Sequence, residues 1–457
     1  MCQLNPNRNI SISMKTVRLK KGLDIKIEGA VTSDDITPCP PATVAMVPDD
    51  FPGLTPKPSL KEGDRVAAGS PLFHDKARED IAVTSPIAGT VERIIRGERR
   101  KLLAITLRPD SADSGEVTHH VELSSAEAVK TLLKRSGLWA LIRQRPYDII
   151  PGEQSPRDIF VTAFDSAPLA PDLGLMLKGT ETTLAKGVEA LKKITTGTVY
   201  IGVSPTSPIG TVAGAEMVMF DGPHPAGLPG IQAANIRPVN KGETIWTLDA
   251  VTLWRIGRLV ETGRVPYGCT VAVTGSEVKC PRYLSTVMGA DLRTLLDGNI
   301  REDGRHHRII SGNVLTGVHE SIDGYLRYPY RQVTVIPEGD DVDEMLGWAS
   351  LSPRKMSVSR TFPGHFLNRR FSPDARLLGG RRAMIMSGEY DKVLPMDILP
   401  EYLLKAIISR DIDKMEALGI YEIAPEDMAL CEYVDTSKLE IQKLVREGLD
   451  YMRAEMS

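Results

Sequence analysis

Cysteine is scarce and scattered in this chain. The five residues Cys2, Cys39, Cys269, Cys280 and Cys431 form no C-x-x-C pair. That spacing excludes a cysteine-held iron–sulfur cluster, a zinc ribbon and a disulfide framework, and leaves thiols of a cytoplasmic protein. Long apolar runs are also missing. A membrane helix needs roughly 20 apolar residues, and the best stretches here resemble "LLAITL" at 102–107. The leading "MCQLNPNRNISISMK" has neither the hydrophobic core of a secretion signal nor a lipoprotein signal around Cys2. Translation starts at Met1 or at Met14, and residues 1–13 read as disordered. The net charge of −3 gives no general attraction to nucleic acid. There is no G-x-G-x-x-G, no G-K-[ST], no H-E-x-x-H and no nucleophile-elbow order of Ser, Asp and His, so no autonomous active site can be argued from motifs.

What is present is a chain of 457 residues with 42% hydrophobic and 25% charged residues, a soluble composition long enough for three or more domains. The organisation expected is α/β and multidomain. After an N-terminal segment (1–36), residues 37–115 alternate in short strands punctuated by Gly63, Gly69 and Gly89. Their "EGD-x-V-x-x-G-x-x-L" and "P-x-x-G-x-V" patterns resemble the barrel-sandwich fold of biotinyl and lipoyl carriers. Residues 116–263 switch to helical and buried-strand periods. Ser124 and Glu127 form a capping box there, "DIFVTAF" and "TVYIGV" are strands, and a closing helix runs from Asp249 as N-cap to Gly263. Strand–helix–strand order predicts a Rossmann-like parallel sheet without a flavin fingerprint. Residues 264–337 read as a β-grasp module of the SLBB type and 338–396 as a basic connecting segment. A helical C-terminal domain follows at 397–457, with Ser437 and Glu440 capping an apolar face of Ile441, Leu444, Val445, Leu449 and Met452.

Four stretches are candidates for function. In "LFHDKAREDIAVTSPIAGTV", Lys76 stands where a carrier would bear a swinging lipoyl arm. It lies ten residues before Pro86 on a charged tip, so an unmodified lysine is expected. "DGPHPAGLPGI" (221–231) follows a strand at the end where α/β proteins bind ligands, which nominates Gly222, His224, Gly227 and Gly230 as a quinone- or partner-contacting loop. Its prolines remove N–H donors that a phosphate cradle would use. His224 offers a proton to a ligand or is held as a structural histidine. Residues 352–382 hold eight Lys/Arg against the single acid Asp374, interleaved with Phe362, Phe366, Leu367 and Phe371. Arg354, Lys355, Arg369, Arg370, Arg381 and Arg382 are therefore nominated for docking to an acidic partner or anionic lipid. Cys431 is expected to be a buried thiol on a helix. No metal site and no catalytic residue are nominated.

"VRLKKGLDIKIEGA", "GLWALIRQRPYD", "DIFVTAFDSAPLAPD", "DGPHPAGLPGI", "IWTLDAVTLWRIGRL", "GSEVKCPRYLSTVMGA", "SVSRTF" and "VLPMDILPEYLLKAIISRDIDKMEALGIYEIAPEDMALC" occur in this order. Together they resemble the A-subunit family of the bacterial sodium-translocating NADH:quinone oxidoreductases, over essentially residues 14–457. The resemblance implies a peripheral subunit on the cytoplasmic face of the inner membrane, assembled with five other subunits (B to F). It implies a part in reducing ubiquinone to ubiquinol coupled to Na+ export, with NAD and Na+ used at the level of the complex. A quinone, ubiquinone or menaquinone, is the ligand implied, and no covalently bound cofactor, flavin or iron–sulfur cluster of the chain's own. The family pattern has a second cysteine near Asp435, and here Cys431 stands alone. Two other readings remain open from the sequence: a lipoyl- or biotin-type carrier fused to an α/β enzyme, and a flavin-binding NADH dehydrogenase subunit related to complex I.

Overall fold

The computed structural model describes residues 14–110, 115–340 and 347–456, so the disorder expected of residues 1–13, and Cys2, lie outside the described residues. The central sheet runs Lys15–Arg18, Glu216–Asp221, Val199–Val203, Ile159–Thr162, Ile245–Asp249, Arg143–Arg145. All neighbours are parallel except the last pair. Its inner strands "IFVT", "VYIGV" and "IWTLD" are nearly continuous apolar runs because both faces are covered. One face buries Val161, Ile201 and Trp246 beneath the helices Glu181–Leu191 and Ala250–Thr262. The opposite face buries Phe160, Val218 and Phe220 against the C-terminal helices. Helix Ala250–Thr262 can press on its neighbour because Gly257 carries no side chain; a Cβ there would lie 1.9 Å from the Thr183 carbonyl oxygen.

Helix boundaries follow the chemistry of the caps, with two corrections. Asp249 accepts from the Thr252 N–H at 2.7 Å, and Gly263 ends that helix at φ +73°, as the sequence pattern predicts. The helix Ala126–Arg135, however, is capped by Ser125, which accepts from the Ala128 N–H at 3.2 Å. Ser125 is the residue with extended backbone there, while the Ser124 hydroxyl donates to Glu122. The helix Ile441–Met456 receives no cap from Ser437, whose hydroxyl accepts from the Ile385 N–H. Glu432 takes its Gln442 N–H at 2.8 Å instead, and Asp435, fully buried, takes the N–H groups of Ser437 and Leu439 on the approach.

The barrel-sandwich domain packs a four-stranded sheet (Val44–Met46, Leu102–Pro109, Gly89–Arg96, Arg65–Val66) on a three-stranded one (Pro56–Pro58, Pro71–Asp75, Ala82–Thr84). Leu72, Phe73, Ile81, Val91, Ile105 and Leu107 form its core. In the β-grasp module, the hairpin Gly268–Thr274/Arg282–Val287 is joined by Gln332–Pro337, parallel to the first strand, and by His307–Ser311. Lys15–Arg18 extends the α/β sheet, and Ile36–Pro38 extends the β-grasp sheet beside Arg282–Val287. The C-terminal helices Pro400–Ser409, Ile412–Ala417, Ala429–Val434 and Ile441–Met456 bury Leu403, Met415, Cys431, Val445, Leu449 and Met452 against the α/β sheet.

A candidate functional site at the switch point of the α/β sheet

In the central sheet, Ile159–Thr162, Val199–Val203 and Glu216–Asp221 step one way from the first of them, and Ile245–Asp249 lies on its other side. The order therefore reverses between Ile159–Thr162 and Ile245–Asp249, and an open α/β sheet leaves a crevice beyond the carboxyl ends at that point. A cavity of about 170 Å³ lies there. Thr162, Phe164 and Asp165 reach it from one strand and Thr247, Leu248 and Asp249 from the other. The loop His224–Pro229 forms a side, Tyr328–Gln332 of the β-grasp module closes the top, and Glu426 of the C-terminal domain enters from a third direction. Three domains thus share one cavity. Gln332 anchors the roof, its amide donating to the Pro168 carbonyl at 3.1 Å.

His224 and Gly227 line this cavity, whereas Gly222 and Gly230 do not. The His224 ring is buried, with Nδ1 3.0 Å from the Ser166 hydroxyl, which also accepts from the Gly227 N–H at 2.8 Å. Burial drives the imidazole pKa down to about 4, so the ring is neutral near pH 7. The two outer glycines serve packing. At Gly222 a Cβ would lie 2.6 Å from the Leu19 carbonyl oxygen, and at Gly230 2.4 Å from the Arg145 guanidinium.

Several polar groups of the crevice were not visible in the sequence because they come from distant segments. Arg331 makes a forked pair with Asp249 at 3.0 Å. Burial works to raise the Asp249 carboxyl, but Arg331 and the Thr252 N–H hold it below the usual range. Arg143 stacks over the Tyr328 ring at 5.7 Å, and the Tyr328 hydroxyl donates to the Leu141 carbonyl at 2.7 Å. Behind Glu426, Arg145 pairs with Asp427 and donates to the Glu422 carbonyl at 2.7 Å. Enclosure, with Asp427 and Asp148 beside it, pushes the Glu426 carboxyl up to about 8, although its side chain keeps 39% of its surface exposed on the cavity side.

The fold class raises the question of a flavin or nicotinamide nucleotide. Such a ligand sets its phosphate on free N–H groups at a helix start. Here the helix Leu173–Leu177 starts on Asp172, whose carboxylate already accepts from Gly174 at 2.8 Å and Leu175 at 3.4 Å. The helix Ala250–Thr262 starts on Asp249, and Pro229–Ile236 on a proline without an N–H. Carboxylates already hold N–H groups at two of these helix starts, and at the third a proline removes one donor and the Arg145 guanidinium packs against Gly230. The residues present do not fit the group.

Family models match along the chain in one order: the NqrA N-terminal barrel-sandwich hybrid domain at residues 17–110, the NqrA second alpha/beta domain at 124–265, and the NQRA C-terminal domain at 270–320. The A subunit of the Na(+)-translocating NADH-quinone reductase from Neisseria meningitidis serogroup C is 36% identical over 450 residues, 96% of this chain and 100% of that protein. Its counterpart from Rhodopirellula baltica is 35% identical over 458 residues, 98% of this chain and 100% of that protein. The chain belongs to the NqrA family. The barrel-sandwich, α/β and SLBB-type assignments read from the sequence agree with the NqrA domain models and with the sheets described above.

The other nominated residues of this NqrA-family chain lie away from the crevice or on its outer wall. Lys76 is exposed, and its N–H donates to the Thr55 carbonyl at 2.8 Å. The hairpin tip around it is fastened down: Arg78 donates to the Pro151 carbonyl at 2.9 Å, Asp80 pairs with Lys134 at 2.7 Å, and Glu79 with Lys57 at 2.9 Å. Cys431 is buried on the helix Ala429–Val434, and burial pushes its thiol up.

The basic segment is half anchored. Phe362 and Phe371 are buried, and Phe371 exchanges backbone hydrogen bonds with Lys26 and Glu28. Arg369 lies over the Phe371 ring at 4.9 Å, and with Arg370 it lines a surface hollow on the outer side of the loop 165–170. Arg354, Lys355 and Arg381 line a cavity of about 460 Å³ against the C-terminal helices, where Arg381 pairs with Glu440 at 2.6 Å. Arg382 donates its N–H to the Ser437 carbonyl at 3.0 Å. In the same segment Trp348, Leu351, Phe366 and Leu377 are 58%, 96%, 69% and 54% exposed, so it presents apolar as well as basic side chains to solvent.

Proposed function

We propose that this chain is the A subunit of a Na+-translocating NADH–quinone reductase and contributes to quinone reduction from within that complex. The observation that carries the reading is the colinear likeness to whole A subunits, 36% and 35% identical over 96% and 98% of the chain. Among the described residues no helix is long and apolar enough to cross a membrane. Ion passage is therefore the work of partner subunits, B to F, and the chain sits peripherally on the cytoplasmic face, held by them. NAD and Na+ belong to the complex, and the carboxylate-capped helix starts at Asp172 and Asp249 support a chain that keeps no nucleotide of its own.

The crevice is the place where this subunit meets a quinone, ubiquinone or menaquinone. Leu141, Phe164, Leu173 and Leu228 supply apolar walls for a ring, and Asp165 and Glu426 supply polar groups at its edge. The apolar and basic segment 348–382 is the docking surface, with Arg354, Lys355, Arg369 and Arg370 toward an acidic neighbour. Lys76 stays unmodified under this reading, because its tip is tied to the α/β domain.

Membranes from cells lacking this chain should lose Na+-stimulated NADH–quinone reductase activity and regain it on complementation; retained activity would refute the assignment. For the crevice, a soluble quinone is titrated into the purified chain while tryptophan fluorescence is followed. A saturable change abolished by Gly227→Leu supports contact there, and no saturable change leaves docking as the chain's role.

A further inference from the structure

On the rim of the β-grasp sheet, outside the crevice, Glu277, Asp303 and His307 converge. Glu277 is set by the sheet: its N–H donates to the Val335 carbonyl at 3.2 Å and its carbonyl accepts from Arg301 at 2.9 Å. His307 is the first residue of His307–Ser311, and Asp303 stands in the turn that leads into it. One donor atom from each lies within 4.8 Å of the other two. Glu277 is 2% exposed, yet its Oε2 has no hydrogen-bond partner, and neither has Nδ1 of His307. The two atoms stand 3.2 Å apart as an ion pair, without hydrogen-bond geometry between them. Atoms held roughly 2.0–2.2 Å from one tetrahedral ion stand about 3.4 Å apart, so the separation suits two ligands of a shared cation.

We propose that Glu277, Asp303 and His307 form a binding site for a divalent first-row cation of the Zn2+ class. Two carboxylates and one neutral imidazole balance a dication and leave a fourth position for water. His307 also lines a surface bowl with Arg301, Gly304 and Arg305. Arg305 supplies the counter-charge that the cation replaces. Its guanidinium lies 2.5 Å from Asp303 and 3.5 Å from Glu277, and its side chain is 43% exposed. Neither half of the set is legible as a metal motif, since Glu277 precedes His307 by a whole strand and helix.

The test is calorimetric titration of Zn2+ into the full chain, prepared without a polyhistidine tag and with Cys280→Ser, because Cys280 is exposed and would compete. One ion per chain is expected, with affinity at least about tenfold weaker in His307→Gln and in Glu277→Gln, and stronger in Arg305→Ala. Co2+ in place of Zn2+ should give visible absorption bands that disappear in His307→Gln. Should Glu277→Gln fail to fold, the His307 and Arg305 variants carry the comparison. Absence of saturable binding, binding indifferent to His307→Gln, or binding weakened by Arg305→Ala would each overturn the site and leave an ion-paired cluster closed by Arg305.

Discussion

Arg145 and Asp427 form an ion pair across the seam between the antiparallel edge strand of the α/β sheet and the C-terminal helices, with side chains 1% and 0% exposed. Burial pushes the Asp427 carboxyl up, while Arg145 and the Ala424 N–H oppose that push. The pair joins two domains that share the crevice, so its loss should be felt in both.

Removing one partner leaves a buried charge without compensation, at a cost of about 3–5 kcal/mol. Asp427→Ala should therefore lower the denaturant midpoint strongly. The double variant Arg145→Met/Asp427→Leu should recover much of the loss. Equal midpoints for the single variant and the parent protein would show that the seam does not depend on the pair.

Two acids of the C-terminal domain, Glu422 and the crevice-lining Glu426, set a pH dependence. Burial first, then Asp397, raises the Glu422 carboxyl to about 7, and Glu426 stands at about 8. Both exceed the ordinary 4.5, so the folded chain binds more protons than the unfolded chain between about 4.5 and 8. Stability from these groups is complete below about 4.5 and is lost as pH rises from there through 7 to 8. His224 acts oppositely, its stability lost as pH falls from 6.5 toward about 4. Of these three groups only the acids act above pH 6.5, so their share of the unfolding free energy should decline from pH 6.5 to 8.5, and the measured decline should be less steep in Glu422→Gln. A flat profile over that window would contradict the assignment.

Asp249 holds a helix cap and an ion pair at once, and two substitutions separate them. Asp249→Asn keeps an acceptor for the Thr252 N–H but strands Arg331. Asp249→Ala loses both, adding about 1 kcal/mol for the cap. Thermal unfolding should rank parent, Asn and Ala in that order. Tryptophan-detected quinone titration should weaken in both variants, since Arg331 lines the crevice.

The hairpin at Lys76 makes a simple claim on mass. The chain purified from its own cells should weigh what its sequence requires, with no lipoyl-sized addition. An adduct at Lys76 would show that the contacts of Arg78 and Asp80 release the tip in the cell.

Local signals carried much of this fold. Asp249 and Gly263 mark both ends of a helix because caps are chosen by neighbouring residues, and the alternation through 37–110 is enough to mark a barrel-sandwich domain. Where two serines adjoin, as at Ser124 and Ser125, composition cannot choose the cap; the backbone turn does. Glu432 caps a helix that begins about ten residues later, which no short motif encodes. The crevice was half legible. His224 and Gly227 announce themselves in a proline-rich loop, whereas Arg331 and Glu426 reach the cavity only because separate domains fold onto one sheet end. The basic segment hid its anchors for the same reason: Phe362 and Phe366 look alike in sequence, yet one is 1% and the other 69% exposed.

The strand Lys15–Arg18 pairs with Glu216–Asp221, and Ile36–Pro38 with Arg282–Val287. On the ribosome these early residues therefore emerge long before their partners exist. At ~5–20 residues per second the first strand waits roughly 10–40 s for its mate. The barrel-sandwich domain between them can close during that interval, since its strands all lie within 44–109. Neither early strand can take its native place until residues 216–221 and 282–287 have been made, so the head of the chain is a clasp that closes late, tying domains whose strands lie far downstream.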